Sequence, residues 1–295
     1  MNSARSTGLW LAVLAAFGFS AKAILVKLAY AAYPVAAVTL LALRMSFALP
    51  VFVWVGIKAS RNAPPLTRRD WGFVTALGLL GYYGASIFDF VGLQYITAGL
   101  ERLILFTYPT LTILLSALFF GHVIGRREAG ALVLCYVGIA AAFAHDLSLG
   151  ADSAAVWIGG GFVFASSLSY ALYLAGSARM IARLGAARFT ALAMLVSTAA
   201  TLAHFLATQP LAELLQPLPV YGYGLGMAVL STVIPVFAQS AAIRRIGAGP
   251  AALIGTIGPL VTIALGWWVL GEAISAWQLL GAALVVAGIV LAGRR

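Results

Sequence analysis

The chain has 295 residues, 63% of them hydrophobic and 9% charged, with a mean hydropathy of +1.02 and a net charge of +10. Soluble domains carry about 25% charged residues, so water cannot solvate this surface and lipid must cover most of it. Ten spans of roughly 20 residues would use most of the chain, excluding a sizeable soluble domain, and the basic excess then reads as membrane topology, with no nucleic-acid partner expected.

The apolar runs place spans at 8–30, 35–57, 72–93, 99–120, 129–144, 155–177, 189–207, 220–241, 250–270 and 275–293. The first has a signal-peptide look, with Arg5, an apolar stretch and Ala21-Lys22-Ala23. Its apolar run continues to Tyr30, which favours a retained helix. The single Cys135 lies in the fifth run and excludes an intrachain disulfide.

Charge placement tests this count. With the N-terminus inside, the inner segments collect Arg5; Lys58, Arg61, Arg68 and Arg69; Arg126 and Arg127; Arg179, Arg183 and Arg188; Arg244 and Arg245; and Arg294 and Arg295. The outer loops collect Asp146, Asp152, Glu213 and Glu272, and no lysine or arginine. Basic residues mark cytoplasmic loops, so both termini are expected in the cytoplasm. A single missed span would put the later clusters on the wrong side.

The two halves repeat. A shift of 150 brings Ile96 onto Ile246, Ala98-Gly99 onto Ala248-Gly249, Pro109 onto Pro259, Gly121 onto Gly271 and Gly138-Ile139 onto Gly288-Ile289. Between 95 and 142, 15 of 48 ungapped positions are identical; shared apolar composition inflates the number, but matched Pro and Gly positions do not arise that way. The units are 1–145 and 146–295. Five helices per unit give the units opposite orientations, the inverted arrangement of many secondary transporters.

Gly92-Leu93-Gln94-Tyr95-Ile96-Thr97-Ala98-Gly99, then Tyr108-Pro109 and Phe119-Phe120-Gly121, resembles the EamA-type unit of the drug/metabolite transporter superfamily. Ala248-Gly249-Pro250, Gly258-Pro259 and Leu270-Gly271-Glu272 resemble it again in the second half. The resemblance implies an all-α membrane protein of ten helices in two inverted five-helix repeats. It is closest in detail to YddG-type exporters, which implies outward movement of neutral and aromatic amino acids. The acid after the Leu-Gly step is Glu272 in the second unit, but His122 stands there in the first. Positioning a helix end suits that acid better than chemistry.

Charges inside a bilayer cost about 2.5–3.5 kcal/mol each at the helix centre and mark function. Lys22 and Arg44 fall near mid-depth; Lys27, Asp89, Glu101 and Arg102 fall in the outer parts of the first, third and fourth spans. Lys22 is the leading partner for a substrate carboxylate, and Arg44 is either a second one or a structural clamp. The outer quartet is expected to gate the external mouth through exchangeable ion pairs; static pairing and interfacial exposure are the alternatives. Tyr82, Tyr83, Tyr108, Tyr170 and Tyr173 lie mid-helix, where a phenol needs a partner or a wet cavity. Ser20, Ser167 and Gln239 add neutral polar groups for the solute. Pro50, Pro109, Pro235 and Pro259 interrupt spans, and the repeat-related Pro109 and Pro259 are the expected pivot.

There is no H-E-x-x-H, P-loop or G-x-S-x-G motif. His204 in the seventh span is the one side chain that suggests an intramembrane hydrolase. The expected protein is a non-enzymatic secondary transporter of the cell inner membrane, exporting amino acids or related metabolites. It needs no cofactor and no metal, and its partners are a small-molecule substrate and the bilayer, as a monomer or weak homo-oligomer. Carriers of nucleotide-sugars and other anionic metabolites are the rival.

Overall fold

The computed structural model describes residues 3–120, 123–148, 153–246, 251 and 254–293. Gly121, His122, Asp152, Gly247 to Pro250, Ala252, Leu253, Arg294 and Arg295 lie outside the described residues. Among the described residues the regular structure is helical, in ten main helices.

In chain order these are α1 (Ser3–Ala32), α2 (Ala37–Ser60), α3 (Arg68–Gly92), α4 (Ala98–Leu105 and Tyr108–Phe120), α5 (Arg126–Ser148), α6 (Ser153–Leu184), α7 (Ala186–Thr208), α8 (Leu218–Ala228 through Ile234–Ile246), α9 (254–255 and Gly258–Leu270, with a turn at 256–257 between them) and α10 (Ala276–Gly293). The first eight are long and apolar enough to cross a membrane; the last two are shorter apolar helices. One expected loop is reduced to a single residue. α6 and α7 run beyond 155–177 and 189–207 and are joined by Gly185 alone, whose φ of 78° a side chain would resist.

The packing has a two-fold pattern. α1 lies on α8 as α6 lies on α3, while α2–α7, α4–α9 and α5–α10 pair each helix with its own repeat mate. Glycines set the closest crossing. A Cβ on Gly281 would stand 2.6 Å from the Gly138 carbonyl oxygen, and one on Gly138 would stand 2.7 Å from that of Gly281. Small residues let helix backbones approach where lipid supplies no hydrophobic drive.

The repeat reaches the backbone irregularities. π-helical turns interrupt α3 at Leu79–Gly84 and α8 at Val229–Val233, which the 150-residue shift superposes. α4 breaks at Phe106-Thr107 and α9 at Thr256-Ile257, again 150 residues apart. Pro109 cannot donate to the Leu105 carbonyl, and Ser167 of α6 donates to it instead at 3.0 Å. At the α9 break, Ser20 of α1 lies between two carbonyls, Ala16 of its own helix at 2.8 Å and Gly258 at 3.1 Å. Each break thus meets a serine from the other half.

One end of the bundle gathers the basic loops. Arg183 at the end of α6 pairs with Asp70 at the start of α3, Nε to Oδ1 2.7 Å. Arg188 donates to Ser60 Oγ and the Pro64 carbonyl, tying α7 to the α2–α3 connection.

Candidate functional site

A cavity of about 490 Å³ opens where the halves meet. α1 contributes Phe19 and Lys22, α2 Arg44, α3 Tyr82 and Ser86, α4 Arg102, Tyr108 and Pro109, α6 Tyr170, α8 Thr232 and Gln239, and α9 Thr256. Both π turns and both helix breaks border it. Such turns recur at functional sites because they re-aim side chains and disturb the local carbonyl ladder. Here serines take up nearby carbonyls of α3: Ser169 donates to Leu80 at 2.8 Å and Ser166 to Ala85 at 2.6 Å.

The aromatic wall is continuous. Tyr108 meets Tyr170 edge-on at 5.1 Å, Tyr170 stacks on Tyr173 at 5.6 Å, and Tyr173 meets Tyr82 at 5.1 Å. Tyr82 and Tyr173 join through their hydroxyls at 3.0 Å. Tyr82, Tyr108 and Tyr170 line the cavity with Tyr173 behind them, and the hydroxyl bond satisfies the phenols of Tyr82 and Tyr173.

Next to it lies the charge cluster. Lys22 Nζ is 2.6 Å from Asp89 Oδ2 and 3.5 Å from Glu101 Oε1. Both acids are fully buried behind the cavity wall. Arg102 points a weak 3.4 Å bond at Ser20 Oγ and lies over the Phe106 ring at 5.3 Å. Arg44 donates to Thr232 Oγ1 at 3.0 Å and lies over Phe90 at 5.5 Å.

The grouping differs from the one the sequence suggests. Lys22 is no lone ammonium awaiting a carboxylate; it holds Asp89 and Glu101 together. Lys27 stands further out and donates to the Ile96 carbonyl at 3.0 Å, near Glu272. One helical turn separates the lysines, and only the tertiary packing of α1 on α3 and α4 selects between them. Arg102, expected in the outer gate, lines the cavity.

Other expected residues divide. Tyr82, Tyr108, Tyr170, Gln239 and Pro109 line the cavity with Lys22. Ser20, Ser167, Tyr83 and Pro259 are not in its lining. Ser20 and Ser167 hold the helix breaks, and Pro259 begins the second piece of α9. The Tyr83 hydroxyl meets His204 Nδ1 at 3.1 Å, so His204 spends that nitrogen on a phenol of α3. Sequence reasoning missed Thr232 and Thr256, because hydroxyl side chains are common in apolar helices and nothing in their spacing sets these two apart.

Away from the basic loops, Glu272 ties the second half to the first. The Glu272 carboxylate accepts the Ala98 backbone N–H with both oxygens, at 3.0 and 3.1 Å. An anion at a helix N-terminus satisfies an orphan donor and complements the helix dipole. The acid after the Leu-Gly step of the second half thus caps α4 in the first. Tyr30 donates to the Phe90 carbonyl at 2.9 Å beside it.

The chain matches the EamA-like transporter family twice, over residues 6–144 and 157–294. It is 32% identical over 281 residues to "Uncharacterized transporter YcbK" of Bacillus subtilis (strain 168), covering 89% of this chain and 85% of the relative. It is 24% identical over 238 residues to "Uncharacterized transporter YyaM" of the same organism, covering 80% of this chain and 76% of the relative. A solved crystal structure aligns with a TM-score of 0.65 at 19% identity over 97% of this chain and 96% of its own, a likeness of fold. The chain is a multi-pass membrane protein that belongs to the EamA-like transporter family.

Proposed function

We propose that the protein is a secondary transporter of the cell inner membrane that exports a small carboxylate-bearing solute by alternating access, with neutral and aromatic amino acids as its first candidates. The observation that carries this reading is the cavity at the two-fold junction. It has a tyrosine wall for a planar or apolar body and cations for a carboxylate. Its lining runs from mid-helix positions such as Lys22 toward the basic-loop end at Gln239 and Thr256, while Glu272, Lys27 and Tyr30 close the opposite end. With the basic loops in the cytoplasm, this is the inward-facing state.

Two inversely oriented repeats supply the second state, because the contacts of one half are exchangeable for those of its mate. The helix breaks before Pro109 and Pro259 are where α4 and α9 can bend. A second reading, a carrier of anionic metabolites of the same superfamily, gains from Arg102, which joins Lys22 and Arg44 at the cavity.

Flux in proteoliposomes separates these. Amino acids, related carboxylates and phosphorylated metabolites are offered one at a time, with and without a pH gradient. Saturable flux of aromatic amino acids or their carboxylate relatives is the expected result. Movement of phosphorylated metabolites alone would transfer the assignment to the second reading.

A further inference from the structure

The cavity is charged asymmetrically. Lys22, Arg44 and Arg102 line it, and no carboxylate does among the described residues. Asp89 and Glu101 lie behind Lys22 and occupy its ammonium. The two arginines have no acid of their own within ion-pair distance among the described residues. Each is 6% exposed, and each keeps a buried nitrogen without an acceptor, Nη1 of Arg44 and Nε of Arg102. A guanidinium withdrawn from water without an acid beside it is costly unless something anionic arrives in the cavity it lines.

Charge counting points the same way. Three cations stand against two carboxyls, so the cluster is net positive whether or not Asp89 and Glu101 share a proton. A zwitterion brings no net charge to it, and its ammonium would enter a wall whose formal charges are all positive. An organic anion neutralises it.

From this we infer that Arg44 and Arg102 form an anion site, and that within the proposed carboxylate class the preferred solute is an apolar or aromatic carboxylate without a compensating ammonium. The inference rests on the carboxylate-solute reading. Forked guanidinium donors suit a carboxylate, and the tyrosine wall suits the apolar body.

The test is binding to the purified, folded protein in detergent, using 3-phenylpropionate, L-phenylalanine and phenethylamine as probes of matched body and different charge. 3-Phenylpropionate is expected to bind at least tenfold more tightly than L-phenylalanine, with phenethylamine weakest. Arg44→Lys and Arg102→Lys keep the charge but lose the fork; each is expected to weaken 3-phenylpropionate several-fold and to leave phenethylamine unaffected. L-Phenylalanine binding as tightly as 3-phenylpropionate, or both lysine variants binding it like wild type, overturns the anion site while leaving the carboxylate reading in place. Phenethylamine as the tightest probe, or no binding of any, removes the carboxylate reading and this inference with it.

Discussion

The two halves share a backbone and differ in chemistry. π turns, helix breaks and packing partners recur at a spacing of 150 residues or with the roles of the halves exchanged. The membrane charges do not recur. Lys22, Lys27, Arg44, Asp89 and Glu101 stand opposite Leu172, Ser177, Met194, Gln239 and Ala251. What repeats is the part that must work in two orientations, namely bends and crossings. What does not repeat is the part that meets one solute. A solute is not two-fold symmetric, so its site has no reason to be, and a buried charge is costly enough to be kept only where it has a partner or a ligand to meet.

The comparison breaks most visibly at Lys22. Lys22→Met strips the cation from two buried carboxyls, a loss of about 3–5 kcal/mol for a broken buried pair. Thermal unfolding in detergent is expected to show a large fall in Tm, with most of it recovered in the double variant Lys22→Met, Asp89→Asn. A double variant no more stable than the single would mean that Lys22 is not the counter-ion of Asp89.

The shared scaffold is tested at its closest crossing. Gly281→Leu drives a side chain into the Gly138 carbonyl and should cost about 1–3 kcal/mol or more by overpacking. The same change at Gly161, where a Cβ meets nothing, is expected to leave Tm unchanged. Equal effects at the two positions would contradict the α5–α10 packing.

The serine clamps limit the symmetry. Ser167→Ala leaves the Leu105 carbonyl, which Pro109 cannot bond, without its donor, a loss of about 1–3 kcal/mol when the group stays buried. Ser20→Ala is expected to cost less, because the Gly258 carbonyl opens a regular helix and keeps a backbone N–H of its own. Equal losses in thermal unfolding would mean that the Leu105 carbonyl is not orphaned by Pro109.

The smallest effect concerns the solute. Gln239→Glu places in the second half the kind of charge that Asp89 carries in the first, and it lines the cavity. Binding of 3-phenylpropionate is expected to weaken by about tenfold, or ~1.4 kcal/mol, with little change in Tm. Unchanged or tighter binding would mean that Gln239 does not face the bound anion.

Much of the fold was legible in the sequence because lipid imposes a coarse rule. A span must be long and apolar, so all ten predicted spans meet a helix, and the matched prolines and glycines point to bends and close approaches. The α6–α7 loop was misjudged for a local reason. Polar residues after 177 suggested a loop, but basic side chains continue a helix beyond the apolar layer, and one glycine in a left-handed conformation suffices to turn the chain.

The site was legible as an inventory and not as a pairing. Sequence located the buried charges and mid-helix tyrosines by composition and depth. Helices that are apolar all round give no periodicity to say which side faces a neighbour. So Lys22 took the acids expected of Lys27, five residues on, Tyr83 and Ser20 turned away from the cavity, and Arg102 turned into it. Hydrophobicity needs only the chain itself, and it determined the multi-pass membrane character; matched prolines and glycines pointed to the internal repeat. Which carboxyl meets which ammonium depends on helix rotation and crossing, set by contacts between residues far apart in sequence such as Gly138–Gly281 and Glu272–Ala98. That was decided by the tertiary structure alone.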